Sequence, residues 1–89
     1  MEISPSLISF VARAKRRREV LKLLSKERKI QAKIMRETGM YKSHTARTLK
    51  ELAGKNLIKC LNPKDRAFKF YKVTKKGEDA LKEVEKVIQ

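Results

Sequence analysis

The sequence predicts an α+β fold that is mostly α: three helices, a two-stranded hairpin and a closing helix in one domain, 1–89. Three observations predict it. Apolar residues recur at helical spacing through three stretches, 4–25, 31–38 and 42–53. Gly39 and the pair Met40-Tyr41 separate the second stretch from the third by a tight turn. Beyond Gly54, two runs suited to strands, 57–61 and 68–74, flank the turn-forming segment Asn62-Pro63-Lys64-Asp65-Arg66-Ala67.

In the first stretch Ser4 or Ser6 can cap a helix whose first turn tolerates Pro5, and nothing breaks helicity as far as Ser25. Leu7, Phe10, Val11, Ala14, Val20, Leu21 and Leu24 are spaced helically, with Lys15-Arg16-Arg17-Arg18 interrupting the stripe. Val20 to Leu24 is expected in the core. Leu7 to Ala14 is expected to pack on the domain or on a second protomer. Lys26 to Lys29 reads as a polar turn, and Ile30 as a very short strand or a staple before the next helix. That helix, 31–38, points Ile34 and Met35 inward and ends at Gly39, where a positive φ is commonly required. A short helix, a tight turn and a second helix make a helix-turn-helix unit. Ala53-Gly54-Lys55-Asn56 stops the third helix, and the aromatic, β-branched run Phe68 to Thr74 returns against Leu57 to Leu61. Thr74 is placed to cap the last helix, 75–88, whose stripe, Leu81, Val84 and Ile88 with Val87 beside them, closes the core or pairs with a partner chain, a choice the sequence leaves open.

Eighty-nine residues allow one modest core. Twenty-four Lys plus Arg against ten Asp plus Glu leave a formal charge of +14. An excess of that size works against the compact state by self-repulsion and points to a polyanionic partner, nucleic acid first. No apolar run approaches the roughly 20 residues that span a bilayer, and the N-terminus does not read as a secretory signal. One Cys and one His exclude an internal disulfide and any metal cluster, so no cofactor is expected, and a reducing cytoplasm, at the nucleoid, fits. High charge with only two Asn and two Gln leans toward a thermophile.

The stretch 42–53 carries the chemistry. Thr45, Leu49 and Leu52 share one face by their spacing, while Ser43, Arg47 and Lys50 fall opposite, flanked by Lys42, His44 and Ala46. Small polar groups and flexible cations on an outer face suit a helix that enters a major groove. Arg can donate twice to guanine, Ser and His can reach base edges, and Lys can neutralise phosphate. A solvated amphipathic helix would look similar in isolation; the charge and the neighbouring turns favour recognition. Lys64, Arg66 and Lys69 gather at the hairpin tip, placed for phosphate or minor-groove contact. The run Arg16 to Arg18 reads equally as a phosphate clamp or as a solvated helix face. Cys60, Phe70 and Tyr71 read as packing residues. No catalytic constellation is present, since Ser43 and His44 are adjacent on a helix and point apart; an enzyme is not expected.

The order helix, helix, helix, strand, basic turn, strand, helix is that of a winged helix. AKRRREVLKLL, SHTARTLKELAGKNLIKCLNPKDR and FYKVTKKGEDAL together resemble small archaeal winged-helix proteins of the MarR/ArsR-like transcriptional-regulator class. The resemblance covers roughly Arg16 to Leu81. It implies that Ser43, His44 and Arg47 are groove-facing, that Lys42 and Lys50 flank them, and that Lys64 to Lys69 form the wing tip. Four positions depart from the pattern: Tyr41 and Gln31 replace small capping residues, Ala46 stands where Ser is common, and Phe68 stands near the wing tip where Gly is common.

The reading is a winged-helix regulator that binds double-stranded DNA. Its expected DNA contacts are Tyr41, Lys42, Ser43, His44, Arg47, Lys50, Lys64, Arg66 and Lys69. A homodimer is expected through Leu7, Phe10 and Val11 or through Leu81, Val84 and Ile88. The rival readings are a sequence-indifferent nucleoid- or RNA-associated protein and a protein-interaction module.

Overall fold

The computed structural model describes residues 3–88, Ile88 by its backbone alone. Ser4 caps helix α1, Pro5–Ala12, by accepting the Leu7 N–H at 3.3 Å, and Pro5 occupies the first turn, where its missing N–H costs nothing. The single helix expected over 4–25 is two helices, because Arg13 and Ala14 leave the helical path before α2, Lys15–Lys26. No Gly or Pro makes this break. Packing makes it: α1 folds back against α5 and α2, so that Leu7 and Val11 join Val20, Leu21 and Leu24 in one core. The carbonyls orphaned at the end of α1 are taken by cations of the next helix. Arg17 donates from Nη1 to the Phe10 carbonyl at 2.6 Å, and Arg18 donates to that of Ala12. Two arginines of the basic run are therefore committed to the fold.

Strand β1, Lys29–Ile30, precedes α3, Gln31–Thr38. Gly39 ends α3 in the left-handed conformation, φ 74°, its N–H donating to Met35 O at 2.8 Å. Met40 behind it is buried, so the turn is anchored as well as tight. Helix α4, Lys42–Gly54, buries Thr45, Thr48, Leu49 and Leu52. It continues through Gly54; the left-handed residue that ends the segment is Asn56, φ 60°.

Strands β2, Ile58–Cys60, and β3, Phe70–Val73, pair antiparallel with Ile58 opposite Val73 and Cys60 opposite Tyr71. β1 adds to the outer edge of β3, Lys29 opposite Tyr71, giving a three-stranded sheet in the order β1-β3-β2. The strands are shorter than the expected 57–61 and 68–74, and at the wing end the cause is Asn62. Its side chain accepts from Phe70 N and donates to Phe68 O, both at 2.7 Å, replacing the ladder beyond the last backbone bond, Leu61 N to Phe70 O. Helix α5, Lys75–Ile88, is capped by Thr74, whose hydroxyl accepts the Gly77 N–H at 3.0 Å and donates to Asn56 O at 2.6 Å. Gly77 lies against Leu57 so closely that a Cβ there would stand 2.0 Å from the Leu57 carbonyl oxygen.

The core runs from Leu7 and Val11 through Val20, Leu21, Leu24 and Ile34 to Leu49, Leu52, Leu57, Ile58, Leu81 and Val84. Each such side chain contributes roughly 1.5–3 kcal/mol by leaving water. Of the two places open to each stripe, the core of this chain or a partner chain, the buried side chains take the core. Leu7, Val11, Leu81 and Val84 are buried inside this chain, where α1 meets α5, and Phe10 is half-buried with Arg17 3.8 Å above its ring centroid. The buried members of the two stripes therefore pack on each other, while among the described residues of α1 and α5 Ile8, Phe10 and Val87 keep apolar surface in solvent. Ile88, the last member of the α5 stripe, has its side chain outside the described residues.

Candidate nucleic-acid interface

Helix α4 is fixed from beneath. Thr45 donates its hydroxyl to Tyr41 O at 2.9 Å and Thr48 donates to His44 O at 2.9 Å, so two buried polar side chains are satisfied by their own helix. From α2, Arg17 grips Glu51 in a two-pronged ion pair. With the inner face and one flank held, the outer face presents Lys42, Ser43, Ala46, Arg47 and Lys50 to solvent. None of Lys42, Ser43, Arg47 or Lys50 has a hydrogen bond or salt bridge to another described side chain. That leaves their donors free for a ligand.

Tyr41 holds the N-cap position of α4 without a side-chain cap, and its ring is 77% exposed. It meets His44 edge to face, centroids 6.0 Å apart at 67°. His44 is half-buried, and its Nδ1 is enclosed without a hydrogen-bond partner. Beside it an open groove of about 420 Å³ runs between the start of α2 and α4, lined by Lys15, Arg16 and Arg17 on one side and His44, Arg47, Thr48 and Glu51 on the other. The structure thus brings His44 and Arg47 next to Arg16, the exposed member of the basic run; Arg17 and Arg18 are spent on α1 and Glu51.

The wing tip is a second positive group. Lys64 and Arg66 are exposed and Lys69 is half-buried. The tip is stapled by side chains that accept or donate to its backbone. Asp65 Oδ1 accepts the N–H of Ala67 at 2.9 Å and of Phe68 at 2.8 Å, and Asp65 N donates to Asn62 O at 3.0 Å. The Phe68 and Ala67 amides hold the Asp65 carboxyl below its ordinary value of 3.8. Among the described residues no hydrogen bond or ion pair ties this tip to α4, so wing and helix are two separate arms on one body.

Three positioning residues escaped the sequence reading. Arg17 and Glu51 lie 34 positions apart, beyond any local pattern. Lys29, read as part of a polar turn, is buried with its ammonium 2.9 Å from Glu37 and 3.1 Å from Glu27, and Glu27 also meets Lys33 at 3.2 Å. That network ties β1 to α3. The hydrogen bond to Glu37 is the main cause raising the Lys29 pKa, and the hydrogen bond from Lys29 is the main cause lowering that of Glu27. Asn62 and Asp65 had a signal, since Asn and Asp in a turn commonly bond the backbone two or three residues on. Cys60 is a half-buried strand residue whose thiol lies 3.9 Å from Asn62 Oδ1. Burial pushes the Tyr71 phenol up. Among the described residues no group of His, Cys, Asp and Glu could hold a metal ion, and no helix is long and apolar enough to cross a membrane.

The comparisons agree on the architecture. A family model described as winged helix-turn-helix matches residues 16–89. No curated protein matches the sequence. Among solved structures, RosR from H. salinarum superposes with a TM-score of 0.76 at 20% identity, covering 83% of this chain and 72% of that one. The transcriptional regulator BldR from Sulfolobus solfataricus gives 0.76 at 19% identity, with 93% of this chain and 63% of that one covered. A homodimeric winged helix-turn-helix DNA-binding domain from Mycobacterium bovis, a possible ArsR-family regulator, gives 0.69 at 21% identity, covering 92% of this chain and 72% of that one. The chain therefore spans less than two-thirds of BldR.

Proposed function

Since the chain belongs to the winged helix-turn-helix family, we propose that it binds double-stranded DNA as a transcriptional regulator, with α4 in the major groove and the wing on the backbone or minor groove. Ser43, His44 and Arg47 read base edges; Tyr41, Lys42 and Lys50 hold the flanking phosphates, joined by Lys64, Arg66 and Lys69 of the wing. The observation that carries this reading is the division of α4: its inner face is buried and internally satisfied, while its outer face offers cations and small polar groups without partners. A net charge of +14 supplies the attraction. The groove beside His44 adds Arg16 to the phosphate-binding set. A regulator of this kind works as a dimer on two half-sites spaced by about one helical turn, roughly 10 bp, or a multiple. Among the described residues of α1 and α5, Ile8, Phe10 and Val87 keep apolar surface for that pairing.

The test is selection of bound duplexes from a random pool at moderate salt, repeated with Arg47→Ala. A palindromic motif that weakens in the variant supports a dimeric base-reading regulator. Tight, salt-sensitive binding to every duplex without enrichment replaces it with a packaging or RNA-associated role.

A further inference from the structure

Phe68 is an apolar ring held out in water at the end of the wing. It is 62% exposed and takes no part in the core. Its backbone is pinned on both sides, the N–H by Asp65 Oδ1 at 2.8 Å and the carbonyl by Asn62 Nδ2 at 2.7 Å. Asn62 Oδ1 also fixes the Phe70 N–H at 2.7 Å, and Leu61 N donates to Phe70 O at 2.8 Å. These bonds fix the backbone from which the ring projects, so the ring leaves the tip at a set point of the chain. Around the ring in sequence stand Lys64, Arg66 and Lys69, while the one acid, Asp65, has its carboxylate occupied by backbone amides.

An exposed aromatic ring on a pinned backbone, with cations before and after it in the same tip, matches one partner chemistry well: a polyanion with an apolar interior reachable from its edge. We propose that Phe68 is a wedge that enters the minor groove of duplex DNA and partly unstacks a base step, while Lys64 and Arg66 hold the phosphates on either side. This inference rests on the DNA-binding reading above. Unstacking a step is unfavourable, and the cations of the tip offset it by drawing the strands around the wing. The ring thereby selects flexible pyrimidine–purine steps at the edge of the site without reading any base edge.

The test uses the full chain and duplexes recovered from the selection, or random duplexes if nothing is enriched, with 2-aminopurine placed at successive positions. Wild type is compared with Phe68→Ser and Phe68→Leu, each checked for an unchanged circular dichroism spectrum. The expected result is a fluorescence rise at one flanking step with wild type and Phe68→Leu that is absent with Phe68→Ser. Phe68→Ser is also expected to bind about tenfold more weakly, with the same dependence on salt. Binding by Phe68→Ser within twofold of wild type, or 2-aminopurine silent at every position, overturns the wedge and leaves the DNA-binding reading standing. An equal loss on single-stranded DNA overturns it in favour of simple base stacking. Failure of wild type to bind any duplex overturns both.

Discussion

Arg17 of α2 holds Glu51 of α4 through two parallel bonds, Nε to Oε1 at 3.3 Å and Nη2 to Oε2 at 3.2 Å, while its third nitrogen caps α1 at Phe10 O. One guanidinium thus joins three helices, and the Phe10 ring lies under it. The Arg17 side chain is only 15% exposed, so the pair is better shielded than an ordinary surface ion pair. Arg17→Ala is expected to cost about 2 kcal/mol, lowering Tm by roughly 8–16 °C in a domain of this size. Arg17→Lys should recover little, since an ammonium cannot reproduce the fork. A calorimetric Tm for Arg17→Ala within about 2 °C of wild type, the effect of an ordinary surface substitution, would show that the clamp is ornamental.

Two glycines should respond oppositely to the same substitution. Gly77→Ala drives a methyl into the Leu57 carbonyl, which is backbone and cannot swing aside, so a loss of at least about 2 kcal/mol is expected. Gly54 is helical with open space around its Cβ position, and Gly54→Ala should be neutral or stabilising by about 0.5 kcal/mol. Urea midpoints of the two variants read the contrast directly.

Base-reading and phosphate-holding side chains separate by their salt behaviour. With about six phosphates neutralised, log K should fall with log salt at a slope near −5. Arg47→Ala should lose ~1–3 kcal/mol on the preferred duplex and much less on others. Lys50→Ala should weaken all duplexes alike and flatten the slope by about 1. Titrations at three salt concentrations distinguish the two, and identical profiles would remove Arg47 from the readout set.

Acid should loosen the wing. The Asp65 carboxyl lies below 3.8 because its ionised form accepts two amides, so its contribution is complete above that value and is lost as pH falls through the lowered pKa. Protection of the Ala67 and Phe68 amides from hydrogen exchange, measured against the intrinsic rate at each pH, should fall there, and Asp65→Ala should show the low protection already at pH 7. On the alkaline side the sign reverses. Lys29 has a raised pKa, chiefly from Glu37, so its bridge is intact below 10.5 and fails only as pH climbs through the higher folded value. Lys29→Met should therefore flatten the alkaline limb of the unfolding curve and leave the acid limb of the wing unchanged.

How far the sequence went can be judged residue by residue. The two faces of α4, the stop at Gly39 and the cap at Thr74 were legible because each depends on residues within one or two turns of one another. Periodicity, a left-handed glycine and a hydroxyl three residues before an amide are local rules. So was the charge on the outer face, since it follows from angle alone. The wing was legible in kind but not in extent, because the side chain of Asn62 competes with the strand ladder and its choice depends on where Phe68 and Phe70 return.

By itself, then, the order of amino acids determined the fold class, the helix-turn-helix with its exposed cationic face, and the position of a basic wing. Tertiary structure alone decided the rest. It broke the first helix at Arg13-Ala14, where no residue demands a break, because Leu7 and Val11 are buried only if α1 folds back on α5. It turned two of three consecutive arginines into fold residues and left Arg16 facing the groove, and it buried Lys29 between Glu27 and Glu37. It also took Leu7, Val11, Leu81 and Val84, which the sequence offers to a partner chain as well, into the core. The physical reason is common to all of these: local rules operate over a few residues, whereas burial and charge pairing are settled by whichever distant groups the completed core brings within reach.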